Sequence, residues 1–507
     1  MFIDDLKDEA LQGETNYSLT ENGALAYKDS GKNLVNLNYA VSNMRKMHSD
    51  DILKLFRKAF YEDKELALKF LFYLGDIREG LGERRAFRII LRYLATEEPE
   101  ILRKLIPYIA EYNRFDSILE LLNTSLHEDL INYIRKQLAE DGRGMHEGKS
   151  ISLMAKWLPR TDCTNQQRRK IARQLALELP LERPDNEKKH VLYQLYNKQL
   201  TQKRDYLDVI ERKTSQNKWG EIDYNTVPSK ANLKYSTAFF RHDEERRTKF
   251  LDEVKKGTAK INAGVLYPYD IVREYNNRPH GVQTDLEMLW ENLNNVLPQT
   301  ETNLLVVCDG SASMTWNKSS GSLMASTIAQ SLAIYCAERI KGQFCNTFIT
   351  FSQNPRIINL NGENLYENLK IIDDYTECSN TDIYRTFKLI LNAAINHNMS
   401  QADMPDTILI LSDMQFDSMA DFSKPLFKKI QQEFADAGYR LPKVVFWNLC
   451  GANDTLPVTG NEYGFGLVSG FSVNILKAIL QDEIDPYMML VNVLRGKRYE
   501  PIKIYKD

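Results

Sequence analysis

The residues of this chain best placed to do chemistry lie in Leu304-Leu305-Val306-Val307-Cys308-Asp309-Gly310-Ser311-Ala312-Ser313. An apolar run stops at an aspartate, and two serines follow at alternate positions. One carboxylate and two hydroxyls this close together are hard oxygen donors, suited to magnesium, manganese or calcium rather than zinc or copper. The run reads as a buried strand feeding a polar loop at its carboxyl end, where open α/β sheets hold their ligands. A second apolar run, Thr407-Ile408-Leu409-Ile410-Leu411-Ser412-Asp413, also ends in an aspartate. If the two strands are parallel, both aspartates reach one sheet edge. Between them, Cys378-Ser379-Asn380-Thr381-Asp382 precedes a helical pattern and offers that edge a loop threonine. The candidate metal set is therefore Asp309, Ser311, Ser313, Thr381 and Asp413, with Mg2+, Mn2+ or Ca2+ as the ion.

Each member also has a plainer reading. Aspartate commonly opens a turn after a strand. Loop serines bond their own backbone. Thr381 could cap the next helix, with Asp382 favourable in its first turn. It is the joint spacing in two strand contexts that favours the metal, with Asp382 and Asp417 left as neighbours. Haloacid-dehalogenase-like phosphatases also place an aspartate after an apolar strand, but they need a second aspartate two residues on, where this chain has Ser311. There is no GxxxxGK[ST] phosphate loop, GxSxG elbow or HExxH pair. The seven histidines are scattered, and His242, in Arg241-His242-Asp243, reads as structural. The expectation is a protein that is not an enzyme.

The pattern DxSxS, a lone loop threonine and an aspartate after another strand resembles the metal-ion-dependent adhesion site of von Willebrand factor A domains. All five positions match, and the resemblance runs from about Glu301 onward. It implies that the serine hydroxyls bind the metal directly, the threonine directly or through water, and that the aspartates largely hold the metal's waters. It also implies an open coordination position that takes a carboxylate from a protein partner.

The elements that must carry these residues change character along the chain. From about Thr300 the periodicity predicts strands at Asn303–Cys308, Gln343–Phe351, Asp406–Leu411, Lys443–Asn448 and Gly464–Val468. Helices intervene at Ser322–Lys341, Ile383–Asn396, Met419–Ala437 and Val473–Leu480. Such alternation predicts a mostly parallel, doubly wound, Rossmann-like sheet covered on both faces. Pro298 and Asn292–Asn295 mark the boundary. From about Leu37 to Asn217 the apolar spacing is helical: Ile52, Leu53, Leu55, Phe56, Ala59 and Phe60, then Leu66, Phe70 and Leu74. Pro99, Pro107 and Pro159 punctuate it, which suggests stacked antiparallel helix pairs. The predicted organisation is an arm over 1–36, a HEAT-like α-helical repeat scaffold over 37–299 and an A domain over 300–507, a multidomain α and α/β protein.

Within the helical part, Gly75-Asp76-Ile77-Arg78-Glu79-Gly80-Leu81-Gly82-Glu83-Arg84-Arg85 frames a turn with glycines and gathers arginines. Arg114-Phe115-Asp116, Trp157-Leu158-Pro159-Arg160, Arg241-His242-Asp243 and Lys260-Ile261-Asn262-Ala263-Gly264-Val265-Leu266-Tyr267-Pro268 follow. These motifs resemble a domain-of-unknown-function family of plants, large viruses and bacteria that joins a helical region to an A domain. The architecture is similar to that of Ro (TROVE) proteins, which implies a ribonucleoprotein role with structured or noncoding RNA on the helical part. Residues 151–250 carry 21 Lys and Arg against 13 Asp and Glu, whereas 301–507 carry 18 against 23. Phosphate contact needs such cations. The candidates chosen by chemistry are Arg78, Arg84, Arg85, Arg168, Arg169, Lys170, Arg173, Lys188, Lys189, Lys203 and Arg204. The bland alternative is a solvated helix face, with Tyr193 and Tyr196 in the core.

The net charge of −3 argues neither for nor against nucleic acid. Six cysteines without a CxxC pair read as reduced thiols. With no apolar signal core near Met1 and no run long enough to span a bilayer, the expected location is cytoplasmic and off the membrane. Two functions fit these features: RNA binding of the Ro type, with the metal engaging an acidic partner, or a metal-dependent protein adaptor whose helices hold a peptide and no RNA. The resemblance predicts that Asp309→Ala abolishes magnesium binding and that Ser311→Ala with Ser313→Ala weakens it. Calorimetric titration in which Asp309→Ala keeps the parent affinity would overturn the metal reading.

Overall fold

The computed structural model describes residues 16–20, 25–180, 189–278, 281–316, 318–320, 323–351, 354–373, 382–416, 426–450, 455–460, 464–480 and 485–504. A short antiparallel hairpin, β1 (Tyr17–Leu19) and β2 (Leu25–Tyr27), leads into helices that continue to Glu291. The α/β part follows. It contains β3 (Leu304–Asp309), a small hairpin of β4 (Lys318–Ser320) and β5 (Leu323–Met324), then β6 (Thr347–Phe351), β7 (Arg356–Asn359), β8 (Thr407–Ser412), β9 (Lys443–Asn448) and β10 (Phe465–Ser469). The six-stranded sheet has the order β10-β9-β8-β3-β6-β7, parallel except where β7 pairs antiparallel with β6. The protein is thus helical with a mostly parallel carboxyl-terminal sheet.

The apolar strands are continuous runs because both faces of the sheet are covered. Alternate residues divide between two cores. Val306, Cys308, Leu409, Leu411, Val445 and Trp447 join the larger one with helix Ala325–Arg339 and the helical part of the chain. Leu305, Val307, Ile408, Ile410 and Phe446 face Phe387 and Phe434 of helices Ile383–Asn396 and Leu426–Asp436. The period of two along each strand decides which core a residue enters.

The predicted strands appear within a few residues of their expected limits. β7 was not anticipated, because in Arg356–Asn359 only Ile358 is buried. Helices Leu365–Asp373 and Pro486–Leu494 were also not anticipated. The expected helix Ser322–Lys341 is shorter, Ala325–Arg339, and Val473–Leu480 is a 3-10 turn followed by one helical turn. Met419–Ala437 is helical from Leu426, its earlier residues lying outside those described.

Helix Lys64–Gly75 is the axis of the helical part. Asp63 caps it by accepting from Leu66 N at 2.9 Å. Every residue from Leu66 to Gly75 is buried, so partners surround it on all sides. Helix Arg84–Glu97 packs beside it, capped by Glu83, which accepts from Arg85 N and Ala86 N. The glycines between them answer to close approach. Gly82 has φ +64°, and a Cβ there would lie 2.2 Å from the Tyr267 hydroxyl. That hydroxyl donates to Leu81 O at 3.3 Å, so the last helices of the region meet the first.

The arm and the tail both pack against parts of the protein remote in sequence. Helix Asn33–Tyr39 straddles the limit placed at residue 36 and packs on β10. Tyr27 exchanges backbone hydrogen bonds with Leu456, and Gly460 N donates to Ser30 O at 2.7 Å. At the other end, helix Pro486–Leu494 lies between β10 and helix Lys64–Gly75. Gly466 permits this, since a Cβ would come 2.8 Å from Met489 Sδ. Arg498 then pairs with Asp76, Nε to Oδ2 at 2.9 Å, and Tyr499 donates to the same oxygen at 3.2 Å. Asp76 is fully buried, and Arg498 also lies over the Tyr112 ring at 4.3 Å. Arg498→Ala strands a buried carboxylate, and we expect a loss of about 3 kcal/mol of stability, measurable by urea unfolding. A loss below about 1 kcal/mol, the scale of a surface pair, would show that the tail is not anchored there.

Candidate metal-binding edge and arginine surface

The register of β3 with β8 sets the geometry of the carboxyl edge. Cys308 pairs with Leu411, so Asp309 lies beside Ser412 and Asp413 follows one residue later. Both aspartates are buried, at 3% and 1% exposure. Ser311 N donates to Asp309 Oδ1 at 2.9 Å, and the Ser412 hydroxyl donates to Oδ2 at 2.5 Å. The Ser311 and Ser313 hydroxyls lie 2.9 Å apart. Gly310 N donates to Phe351 O at 3.0 Å, holding the loop to β6. After Asp413 the chain turns through Met414, which sits at φ +66° although it is not glycine. Such backbone is uncommon for a bulky residue. It lets Met414 N reach the Ser412 hydroxyl at 2.9 Å and Gln415 N reach Asp413 Oδ1 at 3.3 Å.

Burial, then the nearby Asp413 carboxylate, pushes the Asp309 carboxyl up to about 7. Burial, with Asp413 second, also raises Tyr39, whose hydroxyl is buried without a hydrogen-bond partner. Of the five residues expected at this edge, four come together: Asp309, Ser311, Ser313 and Asp413. Thr381 lies outside the described residues, as does Asp417. The cap of helix Ile383–Asn396 is Asp382, which accepts from Arg385 N at 3.2 Å. Among the described residues no three His, Cys, Asp or Glu side chains form a metal cluster. The donors assembled here are two carboxylates and two hydroxyls. Ser412 and Tyr39 were not anticipated. Ser412 was visible as a polar residue closing an apolar strand, whereas Tyr39 arrives from far along the chain. A large cleft of about 1090 Å³ opens at the opposite, amino ends of the strands, by Asn303, Asp406 and Lys443, away from these groups.

The cations expected to meet RNA divide into two groups. Arg85 donates to Met44 O and Met47 O, Arg169 to Cys163 O, and Arg204 to Ala155 O and Leu158 O. Arg78 donates to Glu111 O. Lys203 is buried, and burial lowers its pKa although Asp141 lies near. These side chains are engaged in holding loops and helix ends. Lys170, Arg173 and Lys189 are exposed, with Arg173 over the Tyr193 ring at 5.7 Å. Lys188 lies outside the described residues. Tyr196 is a core residue whose hydroxyl donates to Pro159 O. The Arg241-His242-Asp243 motif is structural: His242 stacks on Trp219 at 4.5 Å, and Asp243 accepts from Tyr224.

Arg84 and Arg168 belong to a cluster that draws on several of the sequence motifs. Arg88, one turn after Arg84, reaches Asp116 Oδ1 at 2.9 Å. Arg114 donates to both Asp116 oxygens and lies over Trp157, 4.0 Å from its centroid. Arg168 donates to Trp157 O at 3.1 Å. Burial raises the Asp116 carboxyl, but Arg114, Arg88 and Arg168 bring it below its ordinary range. Partial burial, then Arg114 and Arg88, lower Arg84, whose side chain is otherwise exposed. Arg88 also reaches toward Glu120, which pairs with Arg92. Four guanidiniums therefore crowd around Asp116, a site that favours an added anion.

The domain of unknown function DUF2828 matches residues 20–113 and 112–303, and the domain of unknown function DUF7788 matches 303–492. The two segments meet where β3 begins. The chain is also 30% identical, over 534 residues, to the "Uncharacterized protein L728" of Acanthamoeba polyphaga mimivirus, covering 97% of this chain and 90% of that protein.

The raised Asp309 pKa has a definite consequence for stability. In the absence of metal the folded state favours protonated Asp309. The stabilisation is full below the ordinary carboxylate value and is lost as pH rises through about 7. The melting temperature of metal-free protein should fall across that window, and Asp309→Asn should flatten the fall. An equal slope in the variant would exclude Asp309 as its source.

Proposed function

The chain belongs to the DUF2828 family, and from that footing we propose that it is a non-catalytic RNA-binding protein whose sheet edge grips an acidic partner through a divalent cation. On this reading the α/β part is a von Willebrand factor A domain and the helical part a HEAT-like scaffold of the Ro type. The observation that carries RNA binding is the convergence of Arg84, Arg88, Arg114 and Arg168 on Asp116 beside Trp157. Guanidiniums in surplus suit phosphate, and an arginine-aromatic stack suits an unpaired base. Lys170, Arg173 and Lys189 are further exposed cations of the helical part. Among the described residues no helix is long and apolar enough to cross a bilayer.

The metal reading rests on the donor set. Two buried carboxylates that disfavour each other's charge, beside paired hydroxyls, fit a hard cation such as magnesium. Asp309, Ser311, Ser313 and Asp413 would hold it, and the ion would supply an electrophilic point for a partner carboxylate. The same donors favour the second reading, a protein adaptor without RNA. Filter binding of structured and single-stranded RNA over a salt series separates the two. RNA affinity should drop steeply with salt, and Arg84→Gln with Arg168→Gln should weaken it about tenfold and reduce the salt slope by about 2. Affinity no better than that of a neutral control protein would leave the adaptor, which predicts magnesium-dependent partner capture lost in Ser311→Ala with Ser313→Ala.

A further inference from the structure

A second cleft, of about 770 Å³, opens between the amino-terminal hairpin, helix Asn33–Tyr39 and helix Ser49–Glu62. Its wall includes Asn448, the last residue of β9, so it lies at the carboxyl edge of the sheet where α/β proteins hold small ligands. Asn448 is level with Ser412 of β8 and donates from Nδ2 to Tyr39 O at 3.3 Å. The cleft is thus neighbour to the metal-binding edge, shares Tyr39 with it, and is otherwise built from other side chains. Its volume falls within the range that encloses small ligands.

The lining has two characters. Lys54 and Lys58 stand one turn apart on helix Ser49–Glu62, and Lys28 joins them from the end of the hairpin. All three are exposed, and none forms an ion pair among the described residues. Of the carboxylates on the wall, Asp29 accepts from Gly31 N at 2.6 Å, and Asp51 stands one turn before Lys54. Met47, Leu55 and Leu456 supply an apolar strip. Tyr39 also lines the cleft, is 6% exposed, and its hydroxyl has no hydrogen-bond partner. The Tyr39 hydroxyl is itself buried, and Asn43 stands on the wall.

We propose that this cleft binds a nucleotide. Ammonium groups without counter-ions suit its phosphates, the apolar strip suits the flat face of a base, and the Asn43 amide suits its polar edge. A peptide carboxylate would match the lysines but would leave the apolar strip without a flat partner. The proposal does not depend on RNA binding at the arginine cluster.

Calorimetric titration of the full chain with ADP, with adenosine and with inorganic phosphate tests it. ADP should bind more tightly than either fragment, and Lys54→Gln with Lys58→Gln should weaken ADP about tenfold. Both lysines are on the exposed face of their helix, so the variant should keep the parent melting temperature. Arg84→Gln with Arg168→Gln should keep the parent ADP affinity whether or not it loses RNA. No ADP binding at millimolar concentration, equal affinity for phosphate alone, or unchanged ADP affinity in the lysine variant would each overturn the assignment. ADP binding lost in the arginine variant would place the nucleotide at the other site and overturn it as well.

Discussion

The parallel pairing of β3 with β8 is the constraint on which the rest depends. Its register sets Cys308 opposite Leu411, and that alone brings Asp309 beside Ser412 and Asp413. A slip of one residue would turn every side chain of the strand to the other face and exchange the two cores. The hydrophobic segregation that forbids the slip is therefore also what brings two carboxylates together out of water. Burial and the Asp413 charge raise the Asp309 carboxyl, and the hydroxyls of Ser311, Ser313 and Ser412 lie among the polar groups beside it.

The sheet is bound into the protein from both sides by chain that is remote in sequence. Helix Asn33–Tyr39 covers the β10 edge, which would otherwise expose unpaired backbone. The tail returns through helix Pro486–Leu494 to set Arg498 and Tyr499 on Asp76. Asp76 belongs to the same glycine-framed turn that Tyr267 closes from the far end of the helical region. This turn is thus the junction of the first helices, the last helices and the carboxyl tail. Its glycines and acid are explained by that packing, and only Arg84, past the turn, is left facing outward with a charge to offer.

Arginine in this protein serves two ends. Arg85, Arg169 and Arg204 each satisfy main-chain carbonyls at helix ends or loops, where a fork of donors does more than a single ammonium could. Arg84, Arg88, Arg114 and Arg168 instead gather around Asp116, with Glu120 beside Arg88 and Glu83 beside Arg84 as the other acids in reach. Linear sequence lists both kinds alike. Surplus of Lys and Arg over residues 151–250 therefore overstated the number available to a ligand.

Much of the α/β part was legible from residue order, because a strand buried on both faces needs an unbroken apolar run and its end is marked by the first polar residue. Thr407–Ser412 and Lys443–Asn448 are such runs. The exposed edge strand Arg356–Asn359 has no such run, so residue order does not mark it. The aspartates and serines of the carboxyl edge were legible for the same reason: strand ends place them. What residue order could not supply was any contact made across long separations. Tyr39 near Asp413, Arg114 on Trp157, and Lys28 on the same cleft as Lys58 depend on how elements remote in sequence pack. That arrangement is decided by the summed packing of the core and not by any local pattern. The sequence by itself determined which residues end strands and which runs are helical. Only the tertiary structure decided which charges meet, because charge has no periodicity and its partners are chosen by the hydrophobic surfaces that carry it.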